Sequence, residues 1–540
     1  MKKLTTFYFL LTASCVFGQF VDLGQKGFGG SGDDYLKRYE DTINNAFYYI
    51  GFSNSNASFD KGEDSRGGFD IWIVKTDSVN NFLWDKTIGG SGEDAGIDCR
   101  IMNNKIYILG KSTSLISGEK TMDGFGLNDG WLVVIDTNGN LLWQQQYGGV
   151  LDDNFNTINI LPNGNLLIGG SSDSPPSLIG NKTSPNKGSM DIWILEINPN
   201  NGSIIKQVSI GSSGFEFLTK LIITQSGKII MKALAFDRYL NGDLTDPGFG
   251  NSNMWVVTLD LNLNKLNDKC FGSGGEGGSG DIIGKNDAYY FIVDSQSSPG
   301  GNKTAPLRGC LSLGSCQDYW VVKTDTNLNI IWDQSYGGNR EDIPTKIEFG
   351  EWNKLIISGS SRTGIGGNKT TASYGSEDVW ALIVDETSGT IVTQQSFGGT
   401  PTEDGSVYIN KNNPSKIRLE SNSKSGISGN KTTINRGGYD FWMVELDASD
   451  FLVTEELDAE GASVSVYPNP FTEQLNFKLE ELKEAVTFKI TTLDGKIIHT
   501  QFIQPSNESI ELKLQAPNEQ ILFYSIKGDH INFTGKVIGL

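Results

Sequence analysis

"DGWLVVIDTNGNLLWQQQYGG", residues 129–149, decides the architecture. Asp129–Asp136 is a run of β-favouring residues around Trp131. Thr137–Asn140 reads as a tight turn, because Asn-Gly accepts the positive φ that a two-residue hairpin demands. Leu141–Gln146 then returns as the next strand. Upstream, "GIDCRIM" (residues 96–102), the Asn103-Asn104 turn and "KIYILGKS" (residues 105–112) make an earlier strand pair. A long Gly-rich loop joins the two pairs, so one unit reads as four antiparallel strands.

The unit recurs with a period of about 60 residues. Trp stands at 72, 131, 193, 255, 320, 380 and 442, at intervals of 59 to 65. Six of the seven have Asp two places earlier; the fourth has Asn253. Five places later come Asp77, Asp136, Asn198, Asp260, Asp325, Asp385 and Asp447. A second mark, an aromatic residue or Ile followed by Gly-Gly or Gly-Ser, begins at Phe28, Ile88, Tyr147, Ile210, Phe271, Tyr336 and Phe397. Seven linked copies predict an all-β chain, a seven-bladed β-propeller of four-stranded blades. A chain of 540 residues exceeds one ordinary core, and a repeat array is the usual exception. The 66 glycines against 15 prolines fit many tight turns.

Ring closure is also legible. "FVDLGQKGFGG" at residues 20–30 resembles the fourth strand "FLWDKTIGG" at residues 82–90, yet it has no blade of its own. It is expected to complete the seventh unit around Trp442, which would remove an open sheet edge. "FLVTEE" at residues 451–456 competes for that place.

The tetrapeptide Gly-Asn-Lys-Thr occurs at residues 180, 301, 367 and 429, with variants at Gly118–Thr121 and Gly242–Thr245. Alone it resembles a glycan acceptor or a phosphate-binding loop. Here it falls between second and third strands and has neither the full Gly-x-x-x-x-Gly-Lys-Thr spacing nor a helix after it. It is read as a blade loop copied with the blade. Because strand direction alternates, it shares one face of the disc with the Gly-Gly corners and their acidic pairs (Asp33-Asp34, Glu93-Asp94, Asp152-Asp153, Glu341-Asp342, Glu403-Asp404).

The repeated Trp residues, flanked by Ile, Val and Leu, read as packing between blades. Trp352 lies outside the scheme, near a hairpin turn of the sixth unit, and is a candidate exposed contact. The acidic pairs either cap backbone N–H groups or hold calcium; no Asp-x-Asp-x-Asp-Gly loop supports calcium, and no cofactor is assigned. Only His499 and His530 are present, both beyond the propeller, so a Ser-His-Asp triad or a His-based metal centre in the propeller is excluded. A carboxylate pair acting on a sugar stays open; an acidic pocket at the disc centre would mark it. No catalytic residue is singled out. The repeat breaks most in units four and five, and Asp237, Arg238 and Tyr239 in "FDRYLNGDLTDPG" are taken as a binding patch.

The formal charge of −20 repels phosphate backbones, which argues against nucleic acid. Lys2-Lys3, the apolar run Leu4–Thr12 and the small residues before Gln19 read as a signal peptide over residues 1–18. No later apolar run reaches the roughly 20 residues of a membrane helix. In an exported chain Cys310 and Cys316, flanking a short loop, are expected to form a disulfide; Cys99 and Cys270 read as buried free thiols.

The propeller is assigned to residues 19–456, a linker to 457–464 and a second strand-rich module, a small β-sandwich, to 465–540. Tyr467-Pro468-Asn469-Pro470-Phe471, then Leu493-Asp494-Gly495-Lys496, then Gly535-Lys536-Val537-Ile538 span this tail in order. The tail resembles the type A C-terminal sorting domain of the type IX secretion system, although "ILFYSIKGD" replaces the family's usual Gly-x-Tyr. The resemblance implies passage across the outer membrane through the type IX translocon, with a sortase as second partner, and a product released or held at the cell surface. It names no activity for the propeller. The expected role is non-catalytic binding or display, towards a surface glycan or another surface protein. A polysaccharide-acting enzyme and a structural component of adhesion or gliding machinery are the alternatives.

Overall fold

The computed structural model describes residues 20–236, 241–285, 287–309, 316–350, 353–409 and 416–447, and in the tail 463–467, 474–480, 484–492, 496–505, 510–515, 521–528 and 532–538. Two compact units emerge, Phe20–Asp447 and a second containing the tail.

The first unit is the expected propeller. Strand β1 (Val21–Phe28) is followed by the first blade, β2 (Asp34–Asp41), β3 (Ala46–Ser53), β4 (Asp70–Asp77) and β5 (Phe82–Ile88), paired in that order. The same four-stranded antiparallel sheet recurs over residues 94–147, 153–210, 216–271, 282–336 and 342–397. The seventh blade has three strands from residues 403–447 and takes β1 as its fourth, with Gly27 opposite Trp442 and Phe28 opposite Phe441. The N-terminal strand therefore completes the last blade. The competing segment 451–456 lies outside the described residues.

The packing explains why each repeated residue is there. All seven Trp side chains are fully buried. Trp131 packs on Tyr48, Ile50 and Ile73 of the preceding blade, and Trp72 packs on Phe441 and Met443 of the last. The indole is thus the seam between neighbouring sheets. Each indole N–H donates to one side chain on the outer strand: Asp85, Gln144, Gln207, Asp268, Asp333, Gln394 and, in the last blade, Gln25 of β1. The same group also accepts the backbone N–H of the loop residue after the repeated Lys: Gly62 in the first blade and Thr432 in the last.

That Lys is not a ligand-binding side chain. Lys120, Lys182, Lys303, Lys369 and Lys431 are buried, with Nζ 5.3–6.0 Å from the ring centre of the Trp in the same blade. Lys303 donates to Ser295 Oγ at 2.6 Å and to the Ser297 carbonyl at 2.7 Å. Burial pushes its pKa down to about 8, while Glu276 and Asp318 hold it up. The Asp before each Trp is the opposing buried charge: Asp318 accepts the Arg308 backbone N–H at 2.5 Å, and a Cβ at Gly337 would overlap its carboxylate, which accounts for glycine at that corner. Blade four breaks both halves together, with buried Leu244 in place of Lys and Asn253 in place of Asp. Asn253 still accepts the equivalent backbone bond, from Phe249 at 2.7 Å.

This natural swap predicts a double-mutant result. Lys303→Leu alone takes from buried Asp318 a cation that opposes its burial and is expected to cost about 3 kcal/mol at pH 7.5, whereas Asp318→Asn alone, which mimics protonation and leaves Lys303 beside Glu276, is expected to cost less. The double substitution, recreating the blade-four pair, is expected to lie within about 1 kcal/mol of the parent. Urea midpoints measure both, and strictly additive effects would refute the pairing.

The sequence break in blade five has a structural counterpart. Its inner strand shrinks to Ile282–Gly284, and Glu276 caps the Gly-rich turn by accepting the Ser273, Gly274 and Gly275 backbone N–H groups at 2.9–3.1 Å.

The second unit is a small two-sheet module. One sheet has strands 463–467, 474–480 and 510–515; the other has 486–492, 497–503, 521–527 and 532–538. Phe477 of the first meets Phe488 and Tyr524 of the second at ring-centre distances of 4.7 and 5.0 Å, so the core lies between the sheets.

Candidate functional site

The repeated polar residues are consumed by the framework, so any contact surface must be built from what differs between blades. The acidic pairs illustrate the first half of this. Asp34, Asp94, Asp153, Glu216, Asp342 and Glu403 start the inner strands, are fully buried and each accept a corner backbone N–H. The loop hydrogen bonds place the second-to-third-strand loop against the corner between blades, as Glu119 N–H to the Gly89 carbonyl at 2.9 Å, which puts both on one face.

The inner strands of all seven blades line a central channel of about 640 Å3. One lining residue from each, in blade order, is Lys37, Asp98, Asn156, Lys220, Asp281, Lys346 and Asp404. Most charges there are paired. Asp98 meets Arg100 at 3.0 Å and Lys220 at 3.8 Å. Burial by itself would raise its pKa; the two cations outweigh burial and hold it at about 2. Asp281 pairs with Lys346 at 2.7 Å, and Arg418 bridges Glu420 at 2.5 Å and Glu40 at 3.3 Å. The channel is therefore a mixed-charge lining, not an acidic basin.

Two charges are left over. Lys37 Nζ and the Asp404 carboxylate line the channel on adjoining inner strands, and neither makes an ion pair or side-chain hydrogen bond among the described residues. Both side chains are exposed to the open space of the channel, and the surrounding walls lower the Lys37 pKa and raise that of Asp404. Asp404 is free for a register reason. In blade seven the cap is Glu403, so the next residue, Asp404, turns to the channel, where the first blade carries Tyr35.

Beside these charges, at the loop-side end of the channel, Tyr35, Phe52, Phe69 and Tyr439 form a half-buried aromatic cluster. Ring centres lie 4.9 Å apart for Tyr35–Phe52, 5.1 Å for Tyr35–Tyr439 and 5.3 Å for Phe52–Phe69. Lys424 Nζ sits 4.3 Å above the Tyr439 ring. Burial, then the Asp33 charge, pushes the Tyr35 phenol up to about 12. A smaller cavity of about 180 Å3 opens between Tyr35, Phe52, Ile50 and Ile97, with Lys37 on its wall. Among the described residues only this sector carries four aromatic rings. The place of Phe69 is held elsewhere by Asn128, Met190, Ser252, Gln317 and Glu377, and that of Tyr35 by Ala95, Asn154, Phe217 and Ile343.

One residue on the loop face is conformationally unusual. Phe59 has φ 51° and is 69% exposed. Six other blades place glycine there, with φ between 55 and 89°. A Cβ at Gly429 would meet the Gly398 carbonyl, so the backbone argues against a large residue, and an exposed Phe gains no core packing in return.

Of the residues read from sequence, Asp237, Arg238, Tyr239 and Trp352 lie outside the described residues, as does Cys310. Phe236, beside the first of them, is 47% exposed and meets the Phe217 ring at 6.0 Å. Cys316 is buried, and Cys99 and Cys270 are buried and free. In the tail, Tyr467 ends its strand, Lys496 precedes the strand from Ile497, and Gly535 and Lys536 pair with Tyr524 and Phe523. Pro468, Asn469, Pro470, Phe471 and Gly495 lie outside the described residues. The channel residues Lys37, Tyr35, Phe52, Phe69 and Tyr439 were not singled out from sequence. Comparing blades position by position would have marked them as the places where the repeat varies.

The buried charges also set a pH dependence. Asp318 is pushed up to about 7 and Asp378 and Asp440 to about 6, each chiefly by burial. The folded values exceed the ordinary unfolded value near 3.8. Between those limits the folded state holds protons that the unfolded chain releases, so stability increases as pH falls. The melting temperature is expected to rise by roughly 3 °C from pH 7.5 to pH 5. Below about pH 4 the gain reverses, because Asp98, held at about 2, begins to lose its ion pairs. A melting temperature that falls steadily from pH 7.5 to 5 would contradict this.

Among the described residues no helix is long and apolar enough to cross a membrane. Solved structures with some likeness include the extracellular region of plexin A4 (8% identity, TM-score 0.41, covering 95% of this chain and 66% of that one). A europium-containing methanol dehydrogenase gives 11% identity, TM-score 0.39 and coverage of 79% and 93%. Kuenenia stuttgartiensis hydrazine synthase gives 9% identity, TM-score 0.38 and coverage of 66% and 90%. No curated protein matches the chain. Residues 465–539 match the family described as the secretion system C-terminal sorting domain. The tail is thus a type IX sorting domain that engages that secretion machinery, and the chain is a propeller-bearing cargo exported to the cell surface or beyond it.

Proposed function

We propose that the protein is a non-catalytic recognition module, displayed or released at the cell surface, whose contact surface is the loop-side mouth of the propeller channel. One observation carries this reading. The framework side chains recur in every blade, allowing the blade-four swap, whereas the mouth positions differ from blade to blade and collect four aromatic rings in one sector. A residue set under no shared packing demand is free to be shaped by a ligand. Half-exposed aromatic rings next to carboxylates suit stacking and hydrogen bonding with a surface glycan or a protruding protein loop. Phe59 adds an exposed aromatic contact on the same face, and Asp237, Arg238, Tyr239 and Trp352 are further contacts. In this reading a signal peptide over residues 1–18 starts export, a sortase acts on the tail, and a Cys310–Cys316 disulfide braces the blade-five loop. No cofactor is required.

The second reading, a polysaccharide-acting enzyme, draws on Asp404, whose pKa is raised by burial and then by the Glu377 charge. The ion-paired channel favours binding over cleavage.

Binding of the intact chain to arrayed glycans and surface proteins, with calcium and then with chelator, tests the proposal. A saturable partner is expected, weakened at least tenfold by Tyr439→Ala and unaffected by chelator. Retention of full binding by Tyr439→Ala and Phe59→Gly would move the contact surface elsewhere. Release of sugar from any bound glycan would replace recognition with hydrolysis.

A further inference from the structure

We propose that blade two carries an intramolecular isopeptide cross-link, in which Lys120 Nζ is joined to the side-chain carbonyl carbon of Gln146 with loss of ammonia, and that Asp129 carries the proton for the step.

The sequence sets this blade apart. Opposite the repeated Trp on the outer strand, the other blades carry Gly27, Thr87, Ser209, Cys270, Ser335 and Ser396, all smaller than Gln146. The geometry then places three reacting groups in contact. Lys120 Nζ donates to Gln146 Oε1 at 2.7 Å and to Ser112 Oγ at 2.7 Å, with the Trp131 ring centre 5.3 Å away. The carbonyl carbon lies one C=O bond, about 1.2 Å, beyond that oxygen, so Nζ is within about 4 Å of it. The leaving nitrogen is held as well: Gln146 Nε2 donates to Asp129 Oδ2 at 2.8 Å. Lys120 is 1% exposed, and Gln146 and Asp129 are 0% exposed. Asp129 Oδ1 has no hydrogen-bond partner among the described residues, so one carboxylate oxygen is spare for a proton. Burial lowers the Lys120 pKa against the pull of Asp94 and Asp129, and burial raises that of Asp129. Both shifts favour the neutral amine beside a carboxylic acid, and a desolvated neutral lysine is a nucleophile.

The step balances. The Nζ lone pair forms the bond to Cδ, and the Cδ–Nε2 bond breaks. Asp129 takes a proton from the attacking amine and passes it to the leaving nitrogen. Overall one ammonium group and one carboxamide become a secondary amide and an ammonium ion, with no oxidant or cofactor. Groups fixed in contact react as though at very high concentration, which stands in for an external enzyme. The product would fasten the loop carrying Lys120 to the outer strand Leu141–Tyr147. Blade three supplies the contrast. Lys182 Nζ meets Asn186 Oδ1 at 2.6 Å, but Asn186 Nδ2 donates to the Ser172 carbonyl at 3.2 Å rather than to a carboxylate. One link per chain is therefore expected, in blade two.

Mass spectrometry of the intact chain tests this. The parent is expected to be lighter than its sequence mass by one molecule of ammonia. Its tryptic digest should contain one branched peptide joining the segments around Lys120 and Gln146, uncut after Lys120. That peptide separates the link from ammonia lost at an N-terminal glutamine or at an Asn-Gly turn. Gln146→Ser, which installs the residue of blades three, five and six, should lose the branched peptide and regain the ammonia mass. Asp129→Asn, which copies Asn253 of blade four, should do the same while leaving Lys120 and Gln146 in place, so it reads the proton carrier rather than the contact. Unchanged circular dichroism shows that each variant is folded; should one fail to fold, the branched peptide of the parent decides alone. A parent chain cleaved normally after Lys120, with no branched peptide, would overturn the proposal. Full linkage in folded Asp129→Asn would overturn the role of Asp129.

Discussion

Deleting residues 460–540 is expected to lower the amount of propeller at the cell surface and in the medium at least tenfold and to leave it in the periplasm. The sorting domain occupies residues 465–539, and the propeller is a separate compact unit over Phe20–Asp447 with its own interblade cores. Removing the tail takes away the address without taking away any blade. Protease shaving of intact cells, compared with a periplasmic extract, gives the answer. Circular dichroism of the periplasmic product should show the same β content as the propeller in the parent chain. Normal surface appearance of the truncated chain would overturn the assignment of the tail as the export signal. A misfolded truncated product would instead contradict the independence of the two units.

The second large effect concerns closure. A chain lacking residues 20–28 is expected to lose on the order of 5 kcal/mol or more of propeller stability. β1 supplies the whole outer strand of blade seven. It buries Phe28 against Tyr49 and Phe441, at ring-centre distances of 4.9 and 6.4 Å, which ties blade seven to blade one. Its removal would also expose the edge of the strand Asp440–Asp447, a template for aggregation. A point change separates the strand from its chemistry. Gln25 accepts the Trp442 indole N–H at 2.9 Å and the Thr432 backbone N–H at 2.8 Å. Gln25→Ala leaves both donors without a partner and is expected to cost about 2 kcal/mol. Gln25→Asp should cost less than half as much, because Asp85, Asp268 and Asp333 make the same bonds in their blades. Urea midpoints of the three variants decide. A deletion no more damaging than Gln25→Ala would mean that β1 does not close the ring.

The sequence by itself determined the number of blades, their strand order and the tail, and it offered two candidates for the closing strand, between which the pairing of β1 with the strand Asp440–Asp447 decided. Each is a matter of period and pattern: seven Trp at intervals of 59 to 65, alternating strands with Asn-Gly turns, and a fourth strand at residues 20–30 with no blade of its own. Local chemistry fixes such features, and each copy reinforces the next. It also showed that the Gly-Asn-Lys-Thr loop belongs to the blade. What that loop does was decided only in three dimensions. Its Lys lies over the Trp of its own blade against a buried Asp, because the chain brings residues about 15 positions apart into one desolvated pocket. The channel was hidden for a related reason. Its lining takes residues from all seven blades, spread over residues 36–422, so no local window contains it. Glu403-Asp404 reads as one more acidic pair in a row of similar pairs. The pairing register, which begins the strand at Glu403 where the other acidic pairs begin it at the second acid, turns Glu403 into the cap and frees Asp404 to face the channel on the strand adjoining that of Lys37.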